Sequence, residues 1–121
     1  MLEHARAASP DDACGILAGT GNRVERFYPT ANREASPVHY RVDPVEQFRI
    51  LRELEGYGWR VVGIFHSHPE ESARPSPEDI AMAYYPDACY LILSLGDPNQ
   101  PELRGFWIRE GEVDEEEIHL V

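Results

Sequence analysis

The residues of this sequence best suited to chemistry lie in "GIFHSHPEESARPSPED", residues 63–79, where His66 and His68 stand one residue apart and Asp79 follows eleven positions after His68. Residues i and i+2 of a strand project from the same face, with alpha carbons about 6.5 to 7 Å apart. Both imidazoles can therefore reach one ion at zinc–nitrogen distances of ~2.0 to 2.1 Å. Pro69 ends the strand at that point, and the first turn of a following helix would bring back the Asp79 carboxylate as a third ligand. Two histidines and one aspartate leave the fourth position of a tetrahedral ion to water, which is the pattern of a catalytic rather than a structural zinc site.

The same letters allow a reading without metal. "SPED", Ser76 to Asp79, fits a capping box, in which the serine and the acidic residue three positions later each satisfy an orphan amide. A His-x-His pair on an apolar strand can also be two packed side chains. What favours the ligand set is the conjunction of two same-face histidines at a strand end, a proline stop and a carboxylate at the next helix start.

These side chains need elements to position them. "CGILAG" and "RVERFYPT", joined by "TGN", read as a hairpin, and "VHYRV" as a further strand. Asp43 and Pro44 supply an N-cap and a first helical residue for "PVEQFRILRELEGYG". In that helix Val45, Phe48, Leu51 and Leu54 recur every third residue and predict one apolar face, and Gly56 and Gly58 end it. "WRVVGIF" is a continuous apolar run of the kind found in strands covered on both faces, and it leads directly into the histidines. "SPEDIAMAYYPDA" reads as a helix with Ser76 as N-cap, "CYLILSL" as a second apolar strand, and "RGFWIR" and "EIHLV" as the closing strands. "MLEHARAAS" has the composition of a helix end stopped by Pro10. The order predicts one α/β domain over residues 1–121, a mixed β-sheet with helices on its faces. The acidic run "EVDEEE" is expected at a solvated edge, where like charge discourages edge pairing.

Composition narrows the functional classes. The chain has 121 residues, 42% of them apolar, enough for one core without disulfide or metal staples. With 22 acidic and 11 basic side chains, all of the latter arginine, the formal charge is −11, which argues against a nucleic-acid partner. Cys14 and Cys89 form no C-x-x-C pair, so redox and zinc-ribbon chemistry lack support. No signal-peptide core and no run of ~20 apolar residues occurs, so a cytoplasmic protein with no membrane association is expected.

"HSHP", six intervening residues and then "SPED" resemble the signature of the JAMM metalloproteases, H-[ST]-H-P followed by S-x-x-D, also called the MPN-plus motif. The similarity extends over "PDDACGILAG", "SPVHYRVDPVEQ" and "YPDACYLILSL". It is closest to the small bacterial branch, which resembles peptidases acting on the C-terminal glycines of ubiquitin-like sulfur-carrier proteins. The resemblance implies a JAMM/MPN fold, a cytidine-deaminase-like sandwich, with one Zn²⁺ per chain bound by His66, His68 and Asp79. It also implies that Ser76 steadies the oxyanion of a tetrahedral intermediate and that a ubiquitin-like carrier is the partner. The zinc deaminases, which share a histidine and a glutamate base, are excluded because P-C-x-x-C is absent.

Two features depart from that pattern. The family's general base is a glutamate in Glu-x-Cys-Gly, and the corresponding residue here is Asp12, in "PDDACG". An aspartate is one methylene shorter, while a base must come within ~2.6 to 3.2 Å of the proton it takes. Asp12 therefore implies either a repositioned base or a zinc-binding domain that recognises a ubiquitin-like partner with little turnover. Asp11 would face the opposite way on a strand. The second departure is the start: relatives open with a strand and a fuller helix, so a missing first strand would leave a sheet edge that invites homodimerisation. Cys14 reads as core, His39 and His119 as structural or surface, and Tyr40, Tyr84, Tyr85 and Trp107 as core or near-core aromatics.

Overall fold

The computed structural model describes residues 5, 13–21, 23–30, 44–68, 72–81, 85, 87–97 and 99–116. In chain order the elements are β1 (Cys14–Thr20), β2 (Arg23–Thr30), α1 (Pro44–Tyr57), β3 (Arg60–His68), α2 (Pro77–Ala81), β4 (Cys89–Ser94), β5 (Glu102–Arg109) and β6 (Glu112–Glu116). The six strands form one sheet in the order β2-β1-β3-β4-β5-β6. Only β3 and β4 are parallel; the other pairs run antiparallel. The mixed sheet and the hairpin of β1 and β2 agree with the sequence reading. "VHYRV", "EIHLV", Asp43 and most of "MLEHARAAS" lie outside the described residues, although Ala5 is helical and buried.

The apolar runs become the two central strands because both faces of the sheet carry core. On one face Ile16, Ala18, Ile64, Tyr90, Ile92 and Phe106 pack with Ile50 and Leu54 of α1. On the other, Leu17, Phe65, Leu91 and Leu93 pack together with Ala5 and Ala13. From Val62 to His68 every residue of β3 is buried, so the continuous apolar pattern of this strand follows from its being covered twice. β6 is its opposite, exposed along its whole length at the sheet edge as the acidic run predicts.

α1 ends in a Schellman cap. Trp59 N donates to Leu54 O (3.0 Å) and Gly58 N to Glu55 O (3.2 Å), with Gly58 at φ +69°, a conformation that favours glycine. Its buried face differs from the expected one. Leu54 is buried together with Ile50, whereas Val45 and Phe48 are about two-thirds exposed and Leu51 lies at the margin. The reason is helical geometry: at 3.6 residues per turn, each step of three falls back by about 60°, so four such positions spread over roughly 180°. The stripe that meets the core is Ile50 and Leu54, and half-buried Gln47 beside it hydrogen-bonds the Tyr85 hydroxyl. Full burial of Ile50 and Leu54 stabilises the docked helix by about 1.5 to 3 kcal/mol each.

Candidate active site

β3 hands the chain to α2, which returns it to the parallel strand β4. Crevices at the carboxyl ends of parallel strands are where open α/β sheets place their ligands. His66 and His68 stand at that end of β3, and strand alternation sends both to one face. Asp79 enters from the first turn of α2. His66 Nε2 and His68 Nε2 are 3.1 Å apart. One carboxylate oxygen, Asp79 Oδ2, lies 3.2 Å from the first and 3.0 Å from the second. All three side chains are buried.

Five-residue helices have little stability of their own, and α2 is held by the box that the sequence foreshadows. Asp79 N donates to Ser76 Oγ (3.1 Å), and Ser76 N donates to Asp79 Oδ2 (2.9 Å). The capping box and the ligand cluster thus share one oxygen, so the two readings of "SPED" are compatible. Ser76 Oγ is fixed as an acceptor, and its own hydroxyl hydrogen is left to donate.

Two supports of the cluster do not follow from local sequence rules, although one of them, Ser67, occupies the [ST] position of H-[ST]-H-P. His68 Nδ1 donates to the backbone carbonyl of Ser72 (2.7 Å), which turns Nε2 toward Asp79 and His66 as the nitrogen that can carry a proton to the carboxylate or, once that proton is gone, offer its lone pair to a metal ion. A backbone carbonyl of an irregular loop cannot be foreseen from residue types. The second support is Ser67, between the histidines. Its hydroxyl accepts from Ala13 N (2.7 Å), and its amide donates to Ala13 O (2.9 Å). Since Cys14 pairs with His66, the start of β1 lies beside the end of β3. This brings Ala13, the neighbour of Asp12, to the histidines. Asp12, Asp11, His39, Tyr40, Tyr84 and His119 lie outside the described residues.

The electrostatics suit a cation. Burial pushes His66 below the usual imidazole range, against the opposing pull of Asp79, and so favours its neutral form. Burial alone would raise Asp79, but hydrogen bonds from His66, His68 and the Ser76 amide outweigh it and hold the carboxyl well below the usual carboxylate range. A charged carboxylate and two nitrogen atoms packed within 3.2 Å need a positive charge among them, from protons or from a metal ion. His66, His68 and Asp79 are the group among the described residues able to hold a metal ion. The donor set suits zinc chemistry: imidazole and carboxylate, three in number, with a corner left open.

The remaining candidates fall into structural roles. Cys14 is fully buried with its sulfur 3.3 Å from Thr30 Oγ1. Tyr85 packs against the core under α1. Trp107 is half-buried on β5 and donates to Glu116. No helix among the described residues is long and apolar enough to cross a membrane.

Comparison with known proteins gives a consistent picture. The family described as prokaryotic homologs of the JAB domain matches residues 1–109. The CysO-cysteine peptidase of Mycobacterium tuberculosis is 43% identical over 123 residues, covering 100% of this chain and 84% of that protein. The desampylase of Haloferax volcanii is 40% identical, over 78% of this chain and 73% of that protein. Among solved structures, a solution structure of a Desulfitobacterium hafniense protein superposes with a TM-score of 0.90 at 46% identity, covering 100% of this chain and 86% of the other. The crystal structure of a JAB1/MPN domain protein from Archaeoglobus fulgidus gives a TM-score of 0.59 at 26% identity, with 99% and 89% covered.

Proposed function

The chain belongs to the prokaryotic JAB-domain family, and on that premise we propose that it is a zinc-dependent peptidase or isopeptidase that cleaves at the C-terminal glycine tail of a ubiquitin-like sulfur-carrier protein. The observation that carries the reading is the convergence of His66 Nε2, His68 Nε2 and Asp79 Oδ2 within 3.2 Å of one another. Relatives named as a CysO-cysteine peptidase, a desampylase and a probable TtuB-protein conjugate cleaving protease support the substrate class. The protein would act in the cytoplasm, and the β2 edge of the sheet, which lacks the acidic run of β6, leaves room for a homodimer.

His66, His68 and Asp79 would hold one zinc ion, which when bound acidifies a water near neutrality and polarises the scissile carbonyl. Ser72 keeps His68 in the tautomer that offers Nε2. Ser76, with its oxygen pinned by the Asp79 amide, aims its hydroxyl hydrogen at the developing oxyanion. Asp12 takes the proton from the attacking water and returns it to the leaving amine. Glycines suit such a tail because the substrate backbone must approach the site closely.

A second reading rests on one residue: Asp12 stands where the family has glutamate, which favours a domain that binds its carrier with little turnover. One preparation distinguishes the two. Elemental analysis should find about one zinc per chain, and a carrier protein extended past its terminal glycines should be cut. Zinc without cleavage would move the conclusion to the binding module, and no zinc at all would remove both.

A further inference from the structure

Between the histidines and α2 the chain passes through a short segment whose middle is held differently from its ends. Of residues 72–76, Ser72 and Arg74 are exposed, Pro75 and Ser76 are half-buried, and Ala73 alone is buried, 1% exposed. Its methyl joins the core that Ile64, Tyr90 and Ile92 build with α1 on one face of the sheet. The flanks of the segment meet the ligand cluster instead. The Ser72 carbonyl accepts from His68 Nδ1 (2.7 Å), and Ser76 exchanges hydrogen bonds of 2.9 and 3.1 Å with Asp79.

Covalent geometry ties these polar contacts to the apolar one. The Ser72 carbonyl and the Ala73 alpha carbon belong to one planar peptide unit, so burial of Ala73 anchors the rigid plate that carries the acceptor oxygen. Toward Ser76 the chain has little freedom, because Pro75 fixes its own φ and confines Arg74 to extended backbone. A displacement of Ala73 therefore passes in one direction to His68 and in the other to the box of Ser76 and Asp79. We propose that Ala73 is a positioning residue for the metal cluster, its buried methyl setting the Ser72 carbonyl against His68 and the Ser76 cap against Asp79. The inference rests on the reading of His66, His68 and Asp79 as a zinc site and deepens it: two of the three side chains take their orientation from one apolar contact. A larger side chain would lift the segment off the core, and glycine would leave it without an anchor.

The test compares Ala73 with Ala88, a buried alanine of the same core that precedes β4 at its amino end, away from the histidines at the carboxyl end of β3. Each is changed to glycine, which adds no bulk, and to leucine. Zinc affinity is measured by competition with a chromophoric chelator, and the His68 ring is followed by NMR. Ala73→Gly should lower zinc affinity by about 10-fold and Ala73→Leu by up to about 100-fold, the range for losing a group that orients a ligand. In both, the proton on His68 Nδ1 should lose its protection from solvent exchange. Ala88→Gly and Ala88→Leu should lower the melting temperature while leaving zinc affinity and the His68 signal unchanged. Should a leucine variant fail to fold, the glycine pair decides alone. Unaltered affinity in Ala73→Gly, or an equal loss in Ala88→Gly, would overturn the inference. If the unsubstituted chain takes up no zinc, the reading of the metal site has failed, a result distinct from a zinc-loaded chain in which the Ala73 variants are silent.

Discussion

The junction of β3 with α2 and the edge strand β6 treat negative charge in opposite ways. β6 carries Glu112, Asp114, Glu115 and Glu116 in five exposed residues. Water solvates them, and their partners are peripheral: Arg104 bonds Glu115 at 3.0 Å and Trp107 bonds Glu116 at 3.0 Å. Such exposed pairs contribute little. At the β3–α2 junction the buried acid among the described residues is Asp79, surrounded by two imidazoles and an amide. Four acids at an edge repel neighbouring chains, whereas one acid in the interior organises three elements, because a buried charge must be matched group by group.

Removing the buried acid should have the largest effect. Asp79→Asn is expected to abolish stoichiometric zinc and to lower peptidase rate by about 10³-fold or more, since the ion supplies several kcal/mol of catalysis; metal analysis and carrier cleavage read both. Retention of one zinc per chain would show that the acid is not a ligand.

Acid should then separate the two regions in the metal-free chain. His66 has a folded pKa below its unfolded value, so the unfolded chain takes up the proton first. Stability is therefore full above about 6.5, the unfolded imidazole value, and falls as pH drops from there toward the lower folded value. Asp79, also depressed, adds stability that is present above the unfolded carboxylate range and is lost only as pH falls through its much lower folded value. Denaturant melts at pH 7.5 and 5.5 measure the first effect. His66→Gln should flatten that slope, whereas Glu115→Gln on β6 should not.

Cutting the link between cap and ligand is a smaller change. Ser76→Ala removes the acceptor of the Asp79 amide and should cost about 0.5 to 2 kcal/mol of stability, together with a 10- to 100-fold loss of metal affinity. A variant with unaltered zinc affinity would show that the box does not orient the carboxylate. Smallest of all, Glu115→Gln should change stability by less than about 0.5 kcal/mol, and added salt should erase the difference.

How far the residues foretold this depends on the range of the interaction. Strand alternation put His66 and His68 on one face, and "SPED" announced a helix start with a carboxylate in its first turn; both are rules spanning four residues or fewer. The observed α1 face departs from the three-residue repeat because such a repeat fits a helix only briefly, and the sheet selects Ile50 and Leu54 over Phe48 and Val45. The contacts of Ser72 and Ser67 are not legible locally, since one acts through its backbone and the other, which the H-[ST]-H-P pattern marks without explaining, through a residue 54 positions away.

The sequence by itself determined the side-chain types of the group able to hold a metal ion, their spacing along the strand and the helix cap, because covalent geometry and local hydrogen bonding need nothing distant. Only the tertiary structure decided that Asp79 Oδ2 meets both imidazoles while still capping its own helix, and that β1 begins against β3 through the Ser67 hydroxyl. Those outcomes depend on strand register and on the return path of the chain, which are fixed by the summed burial of many side chains on both faces of the sheet.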